Sequence, residues 1–290
     1  MSVIITTYNR PANVLLQTIP SYLKNNSIGE VIIVDDASTI NPENIIGELQ
    51  RRFSQIRYIR KKTNAKLPAA RNTGIDYARY DYIHFGDDDN IIMPHAIDLA
   101  LETMKKYEAD VVGIRPLLLE SMSELDNLKD FLSKFDKMQG TLVEMDKLKT
   151  KFYLNPRKVI EVPICHSAFL IKSDLAKSVR FDERILGNAY REETDFLVRA
   201  KATGAKIVFN PFIYTLNLPR DVATGGCHSG PKYSWYLWAI KNNWYFLKKN
   251  HKILQNTFGV KSSPLVLQFY FILDFAMRGV KKLLRKAKGQ

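Results

Sequence analysis

The chain has 290 residues, 46% hydrophobic and 25% charged, which are ordinary proportions for a folded soluble protein and exclude a disordered chain. Two cysteines are too few for a disulfide framework, so both are predicted to be reduced thiols in a cytosolic protein. The net charge of +13 is concentrated in residues 232–290, with twelve Lys and Arg residues and one acid, which indicates a surface for an anionic partner.

Apolar runs alternate with helical patterns along the first part of the chain. Strands are predicted at residues 3–6, 31–34, 56–59, 82–85 and 110–114, with helices at 11–23, 42–53, 69–79 and 94–107. Further strands are predicted at 159–162, 167–171 and 207–209, with a helix at 191–202. This alternation is typical of βαβ units, so the predicted fold class is α/β with a mostly parallel sheet.

Three consecutive carboxylates, Asp87, Asp88 and Asp89, follow the predicted strand 82–85 after one glycine. Adjacent carboxylates repel each other, so an uncompensated cluster costs stability, and a divalent cation with a preference for oxygen ligands would remove that cost. In open α/β sheets, ligands bind beyond the carboxyl ends of the strands. An isolated run of this kind is a solvated acidic turn, so its interpretation depends on the rest of the chain.

Three other polar segments accompany the predicted strand ends. Residues 6–9 (TTYN) follow the first strand, residues 35–38 (DDAS) follow the second, and residues 69–75 (AARNTGI) open a helix. Each segment alone is a plausible turn or helix cap. Because the carboxyl ends of parallel strands lie at one edge of a sheet, we expect all of them to converge near the three aspartates.

Together these segments resemble the family 2 glycosyltransferases, which have the GT-A fold. The motifs that carry the resemblance are VIITTYNR at 3–10, VDDAS at 34–38, ARNTGI at 70–75 and FGDDDN at 85–90, with a weaker match through 191–199. The resemblance implies a Rossmann-like, mostly parallel central sheet flanked by helices. It also implies a catalytic domain over 1–231, divided into a nucleotide-sugar-binding half at 1–115 and an acceptor half at 116–231.

The resemblance assigns a nucleotide site to the first half of the chain. It implies that Thr6 hydrogen-bonds the base and that Tyr8 stacks on it, while the Asp36 carboxylate can accept an N–H of uracil or another base. Arg71 or Lys66 could add positive charge for the phosphates, although a solvated or sheet-facing cation is an equal alternative for each.

The Asp87-x-Asp89 pair matches the DXD motif of the family. The resemblance implies that Asp89 holds Mn²⁺ or Mg²⁺, that Asp87 supports the metal or the ribose, and that Asp88 belongs to the same site in a less certain role. The metal neutralises the diphosphate and so makes the nucleotide a good leaving group. Some GT-A enzymes also recruit a C-terminal histidine to the metal, which makes His228 a candidate ligand; a polar loop residue is the alternative.

The second acidic cluster begins the predicted helix at 191–202. Carboxylates are favourable at a helix N-terminus, which alone would explain Glu192, Glu193 and Asp195. The family carries a Glu-Asp pair here, and its second member acts as general base. The resemblance places that role on Glu193, where this chain departs from the family by having Glu for Asp; Asp195 is the second choice. The role of His166, in the stretch that lines the acceptor pocket in the family, is left open.

The C-terminal residues 232–290 are aromatic and basic. Tryptophans and tyrosines alternate with lysines over 233–251, an apolar run at 264–277 is shorter than a bilayer span, and six cations follow it. These features favour an amphipathic helical tail on an anionic membrane surface. The alternatives are a helix packed on the catalytic domain and a homo-oligomer contact. Nucleic-acid binding is not expected, because no known module accompanies the charge.

The predicted function is transfer of a single sugar, with inversion, from a UDP- or GDP-linked donor to an acceptor hydroxyl or phosphate. The acceptor is expected to be a glycan or lipid-linked saccharide of the cell envelope, and the enzyme to be cytoplasmic and peripheral on the inner face of the membrane. A sugar nucleotidyltransferase is one alternative, disfavoured because residues 6–10 contain no glycine. A non-catalytic membrane-bound scaffold is another, disfavoured because both acidic clusters are present.

Overall fold

The computed structural model describes residues 1–40, 42–228 and 231–287, with the backbone alone for 228, 232 and 278–287. The strands are β1 (Ser2–Thr7), β2 (Glu30–Asp35), β3 (Ile56–Arg60), β4 (Tyr82–Asp87), β5 (Asn90–Ile92), β6 (Val111–Leu118), β7 (Val143–Glu144), β8 (Lys149–Thr150), β9 (Ile160–Glu161), β10 (Phe169–Lys172) and β11 (Ile207–Asn217). The helices are α1 (Ala12–Tyr22), α2 (Glu43–Arg52), α3 (Lys66–Tyr77), α4 (Ala96–Lys106), α5 (Leu128–Asp136), α6 (Ser173–Val179), α7 (Glu192–Ala202), α8 (Lys232–Phe258) and α9 (Pro264–Ala287).

The central sheet has the order β3-β2-β1-β4-β10-β6-β11-β5, and β9 pairs with β11. Strands β3, β2, β1 and β4 are parallel, as are β6 and β11. Strand β10 lies antiparallel between β4 and β6. The predicted α/β class, with helices flanking a mostly parallel sheet, is confirmed. The antiparallel insertion of β10 was not predicted, because its partners follow no local pattern.

Alternate residues of β1 point into two different cores, as the pleat of a strand requires. Ile4 packs in a core with Phe196 of α7 and Phe246 of α8. Val3 and Ile5 pack in the other core, on the face covered by α1, α2 and α4. Both faces of β1 and β2 are buried, which explains their continuous apolar sequences.

Several boundaries differ from the predicted ones. Helix α1 begins and ends one residue inside its predicted bounds, and it contains Pro20. The three-residue β5 follows directly after the carboxylate run and was not recognised, because so short a strand shows no periodicity. Strand β11 has 11 residues, and a register shift between Asn210 and Tyr214 divides the apolar run at Pro211.

The predicted C-terminal tail forms two long helices. Phe246, Leu247 and Leu254 of α8 belong to the same buried core as the sheet, and the start of α9 joins it through Leu267. Gln268 of α9 accepts a hydrogen bond from Asn243 of α8 at 2.7 Å. A domain boundary at residue 231 stays a prediction. Among the described residues, no helix is long and apolar enough to cross a membrane.

Candidate active site

A cleft of about 570 Å³ opens at the carboxyl ends of β1, β2 and β4. We call its two sides the donor wall and the acceptor wall, after the functions that the sequence predicts for them. The donor wall is lined by Thr6, Tyr8, Arg10, Asp36, Lys66, Arg71, Asp87, Asp88 and Asp89. The acceptor wall is lined by His166, Ser167, Tyr190, Glu192, Glu193, Trp235 and Trp238, among others. The strand ends therefore converge as the sequence predicts, and every predicted site residue whose side chain the structure describes, except Asp195, lines this cleft.

Two arginines neutralise much of the acidic turn, which consists of Asp87, Asp88 and Asp89. Arg10 donates to Asp88 Oδ1 at 2.8 Å and to Asp89 Oδ2 at 3.0 Å. Arg71 donates to Asp87 Oδ1 at 3.2 Å. The acidic turn is therefore partly compensated by arginines, a source of charge that the sequence analysis did not predict. Nothing in the local pattern identifies Arg10, because it lies 78 residues before Asp88.

Asp87 and Asp88 differ in what surrounds their carboxylates. Asp87 Oδ2 accepts from the Ser167 hydroxyl at 3.1 Å, so Asp87 joins the two walls of the cleft. Asp88 is buried, and its Oδ2 has no hydrogen-bond partner among the described residues. Asp88 thus turns one oxygen to Arg10 and leaves the other unsatisfied.

Asp89 is the most accessible member of the acidic turn, with 31% of its side chain exposed. Burial of the carboxyl, together with the neighbouring Asp88 charge, raises the pKa of Asp89 to about 7 despite the opposing effect of Arg10. A bound cation would stabilise the negatively charged form of this carboxylate.

The residues of the acidic turn fit a divalent metal. Among the described residues there is no group of three or more His, Cys, Asp or Glu side chains arranged to hold an ion. Mg²⁺ sites commonly use one or two carboxylates and take their remaining ligands from substrate phosphates and water. Asp89 and Asp87 meet that requirement at the mouth of the cleft. The side chain of His228, in the 3-10 turn Gly226–His228, lies outside the described residues.

Asp36 is fixed by the loop before α3. Its two carboxylate oxygens accept from the backbone N–H groups of Ala65 and Lys66 at 2.9 and 2.8 Å. A carboxylate offers about four acceptor positions, so these bonds orient Asp36 and leave capacity for a donor group on a base. Thr6 and Tyr8 line the cleft beside it, at and just after the end of β1.

Arg71 does not present a free charge to the cleft. Its side chain is 1% exposed and contacts Glu192 at 2.8 Å as well as Asp87. It therefore links the acidic turn to the start of α7. Arg220, which the sequence reasoning did not select, is exposed, lines the cleft and has no ion pair among the described side chains. As a phosphate-binding candidate, Arg220 has more available charge than Arg71.

The first turn of α7 carries three carboxylates in three different environments. Glu192 is buried against Arg71, and burial raises the pKa of its carboxyl well above the usual range. Glu193 is half-buried, lines the cleft, and has no hydrogen bond or ion pair within the described part of the chain. Burial lowers the pKa of His166, and the charge of Glu193 opposes that shift, so the two side chains are close enough to interact. Glu193 is thus the carboxylate of this turn that a substrate can reach.

Asp195 lies on the opposite side of α7, away from the cleft. It is fully buried and contacts Lys249 of α8 at 2.8 Å, Arg199 at 2.8 Å and the Asn250 amide at 2.7 Å. Lys249 also pairs with Asp182 at 2.5 Å. Asp195 therefore serves to fasten α8 to α7, a role that its position in the sequence did not reveal.

Aromatic side chains of α8 form part of the acceptor wall. Trp235 and Trp238 are three residues apart, so they lie on one face of the helix, and both line the cleft. Tyr190 meets the edge of Trp235 with ring centres 6.0 Å apart. Gly187 has φ +66° and would place a Cβ only 2.2 Å from the Trp238 ring, so this approach requires glycine. The sequence favours a membrane surface for this aromatic segment, with packing on the catalytic domain as one alternative.

The chain matches the sequence model of the family "Glycosyl transferase family 2" over residues 2–177. It belongs to this family. Because relatives across the match are glycosyltransferases, the protein is an enzyme of that class. One relative, an uncharacterized glycosyltransferase of Methanocaldococcus jannaschii, is 26% identical over 250 residues, covering 84% of this chain and 79% of the relative.

A second relative is named GalNAc(5)-diNAcBac-PP-undecaprenol beta-1,3-glucosyltransferase, from Campylobacter jejuni. It is 25% identical over 210 residues, which cover 69% of this chain and 62% of that enzyme. Among solved structures, Staphylococcus aureus TarS residues 1–349 with UDP-GlcNAc aligns with a TM-score of 0.59 and 17% identity, covering 92% of this chain and 68% of that one.

A further solved structure shares the fold at a similar level. The mannosyltransferase PcManGT of Pyrobaculum calidifontis, in complex with GDP-Man and Mn²⁺, aligns with a TM-score of 0.58 and 15% identity. The alignment covers 88% of this chain and 64% of that protein. These likenesses confirm the GT-A fold predicted from the sequence.

Proposed function

We propose that this glycosyltransferase moves a single sugar, with inversion, from a nucleotide diphosphate donor to an acceptor hydroxyl in a metal-dependent reaction. One observation supports this most directly. Asp87 and Asp89 line the donor wall, while Glu193 lines the acceptor wall and has no neutralising partner among the described residues. A carboxylate with no bound cation is available to accept a proton.

Glu193 acts as the general base in this proposal. It removes the proton of the acceptor hydroxyl as that oxygen attacks the anomeric carbon of the donor sugar. The bond between the anomeric carbon and the phosphate oxygen breaks, and the nucleoside diphosphate leaves with the bonding electrons. Attack from the face opposite the leaving group inverts the configuration. Asp195 is disfavoured as the base because its charge is already shared with Lys249 and Arg199.

Asp89 and Asp87 would hold a Mn²⁺ or Mg²⁺ ion together with the donor phosphates, and the ion would supply charge that makes the diphosphate a better leaving group. Thr6, Tyr8 and Asp36 bind the nucleoside. The solved structures with UDP-GlcNAc and GDP-Man show that proteins of this fold bind both kinds of donor, and the similarity of PcManGT to this chain supports Mn²⁺ as the first ion to test.

The acceptor is proposed to be a lipid-linked or other cell-envelope saccharide. The Campylobacter relative is named for an undecaprenol-linked substrate, and another relative is named for minor teichoic acid biosynthesis in Bacillus subtilis. Helix α9 exposes a row of apolar side chains, including Leu265 at 71% and Phe269 at 63%. With the basic sequence that follows, this surface suits peripheral attachment to anionic lipid on the inner face of the membrane; a homo-oligomer contact is the competing use.

The reaction is tested by incubating the protein with UDP-, GDP- and dTDP-sugars and following nucleotide release with and without Mn²⁺. We expect one donor to be hydrolysed slowly and only with metal. Glu193→Gln should lower the rate by about 100-fold or more, the usual contribution of a general base, with an unchanged nucleotide Kd.

Glu161→Gln is the matched control, because Glu161 is an exposed glutamate on β9 that pairs with Lys201 outside the cleft. Its rate should equal that of the wild type. Absence of metal-dependent binding to every nucleotide would contradict the proposed function, as would full activity of Glu193→Gln. Sedimentation with phosphatidylglycerol vesicles, compared between wild type and Phe269→Ser, separates membrane attachment from an oligomer contact, which would instead change the molecular mass.

A further inference from the structure

Arg10 holds two carboxylates and two backbone carbonyls with one guanidinium. Besides its bonds to Asp88 and Asp89, it donates through Nη1 to the carbonyl oxygens of Ala223 and Thr224 at 2.6 and 2.9 Å. Its side chain is only 5% exposed, so these bonds lie in the protein interior. A buried cation without its partners is strongly destabilising, which means that Arg10 and the acidic turn stabilise each other.

The carbonyls that Arg10 holds belong to a loop that lies directly on the donor wall. Gly226 donates its N–H to the carbonyl oxygen of Tyr8 at 2.8 Å. A Cβ on Gly225, whose φ is +94°, would lie 2.2 Å from the Asn9 carbonyl oxygen, so the two backbones touch. Residues 223–228 are therefore fastened to the strand end that carries Tyr8, and Arg10 is the charged part of that fastening.

The carboxylate that receives Arg10 is also the member of the acidic turn most accessible to a metal. Asp89 Oδ2 accepts from Arg10 Nη2 at 3.0 Å, yet Asp89 is also the most exposed carboxylate of the acidic turn. A divalent cation and a guanidinium repel each other, and this repulsion is stronger in the protein interior than in water. The two cations therefore compete for Asp89.

This competition need not disrupt the fold, because Asp88 keeps Arg10 paired when Asp89 binds a metal. It is buried beside Arg10, its Oδ1 is bound at 2.8 Å, and its Oδ2 has no partner among the described residues. When Arg10 leaves Asp89, it still has Asp88 and the two loop carbonyls. Asp88 thus gains a role that the sequence could not assign, namely retention of the displaced arginine.

We propose that Arg10 is a positioning residue that takes the place of the metal in the acidic turn. It neutralises Asp88 and Asp89 before a divalent ion binds, yields Asp89 to the ion, and stays paired with Asp88. Because Arg10 also holds Ala223 and Thr224, occupation of the metal site is coupled to the 223–228 loop. This inference rests on the metal site of the proposed function.

The test is Mn²⁺ binding by electron paramagnetic resonance, with and without UDP, alongside thermal unfolding in EDTA and in Mn²⁺. We expect Arg10→Gln to unfold at a lower temperature in EDTA and to bind Mn²⁺ about tenfold more tightly, because a competing positive charge is gone. Its gain in unfolding temperature with Mn²⁺ should exceed that of the wild type. Arg10→Lys, which keeps the charge, should bind Mn²⁺ like the wild type.

Arg115→Gln is the matched control. Arg115 is also a buried arginine bound to one carboxylate, Asp136, and to two backbone carbonyls, but it lies outside the cleft. It should lose stability with no change in Mn²⁺ affinity. Equal or weaker Mn²⁺ binding by folded Arg10→Gln overturns the inference and leaves the proposed function intact. Absence of Mn²⁺ binding by the wild type, with or without UDP, overturns both.

If Arg10→Gln does not fold, a measurement on the wild type tests whether the Arg10 guanidinium leaves Asp89 when a metal binds. In protein labelled with ¹⁵N-arginine, the Arg10 side-chain signal, assigned by its loss in Arg10→Lys, should shift on saturation with Mg²⁺. The Arg115 signal should stay in place. An unmoved Arg10 signal at saturating Mg²⁺ would show that the guanidinium does not leave Asp89.

Discussion

The two walls of the cleft are built from different kinds of contact. On the donor wall, Asp36, Asp87 and Asp88 are each fixed by backbone N–H groups or arginines, and the chain segments that carry them follow parallel strands. On the acceptor wall, Tyr190 and Trp235 are fixed mainly by ring packing between a loop and α8. Charge fixes the first wall, and ring packing between a loop and α8 fixes the second.

This difference implies that donor and acceptor binding can be disturbed separately. The ion pairs of the donor wall join segments close to the sheet, so a charge change there alters metal and nucleotide binding. The acceptor wall depends on how α8 is fastened to α7 by Asp195 and Lys249, at a distance from the nucleotide. The four predictions below run from the largest expected effect to the smallest.

Asp89→Asn should have the largest effect, on the donor side. It removes the charge of the carboxylate assigned to the metal while keeping its size, so metal-dependent nucleotide release should fall by about 1,000-fold, the several kcal/mol that a metal ion contributes to such reactions. Rates at saturating donor with 0.1 to 10 mM Mn²⁺ measure this, a range chosen to be of the order of metal requirements for weak carboxylate sites.

Asp130→Asn serves as its control, since Asp130 is an exposed carboxylate on α5 with no part in the cleft. It should be as active as the wild type. If the Asp89→Asn enzyme keeps both its rate and its Mn²⁺ dependence, the metal does not bind to Asp89 on the donor wall.

Asp195→Asn should lower the free energy of unfolding, whereas Glu193→Gln, two residues earlier on α7, should leave it nearly unchanged. Removal of one partner from a buried ion pair costs about 3 kcal/mol or more, and here Arg199 loses its carboxylate partner while Lys249 keeps only Asp182. Glu193→Gln touches no ion pair and should change the free energy of unfolding by less than about 0.5 kcal/mol. Urea unfolding of both variants measures the contrast, and equal stability losses would show that Asp195 does not fasten α8.

The sequence correctly predicts which residues line the cleft where these residues directly follow a strand of the sheet. Continuous apolar runs identify β1, β2 and β4, and the polar residues after them meet at one edge because parallel strands leave no other place for them. The roles of Arg10 and Asp195 depend on partners 213 and 54 residues away, and no local pattern encodes such contacts. For the tryptophans of α8 the sequence does not distinguish a membrane surface from packing on the catalytic domain, because an aromatic helix suits both.

His84 should make the protein less stable in acid. This residue of β4 is fully buried, both ring nitrogens lack partners among the described residues, and burial lowers its pKa to about 3. In the unfolded chain His84 takes up a proton below the ordinary histidine pKa of about 6.5, and in the folded protein it stays neutral. The free energy of unfolding therefore falls as pH drops below that value.

Between pH 7.5 and pH 5.0 this residue should cost about 2 kcal/mol of the free energy of unfolding, at 1.36 kcal/mol per pH unit below 6.5. His84→Phe replaces the imidazole with an aromatic ring that cannot be protonated, so this variant should not lose that part of its stability. Urea unfolding at the two pH values measures the difference between the slopes. Parallel slopes would mean that His84 is protonated, or equally neutral, in both states.

Trp235→Ala should have the smallest effect and should be confined to the acceptor. Loss of an aromatic surface that stacks on a sugar ring is worth about 1 kcal/mol, which is roughly a fivefold rise in the acceptor KM. The nucleotide Kd should stay constant, because the donor wall is held by its own ion pairs. Trp244→Ala is the control, since Trp244 is a half-buried tryptophan of α8 that does not line the cleft. If Trp235→Ala instead weakened nucleotide binding and left the acceptor KM unchanged, the two walls would not be separable, and α8 would belong to the donor site.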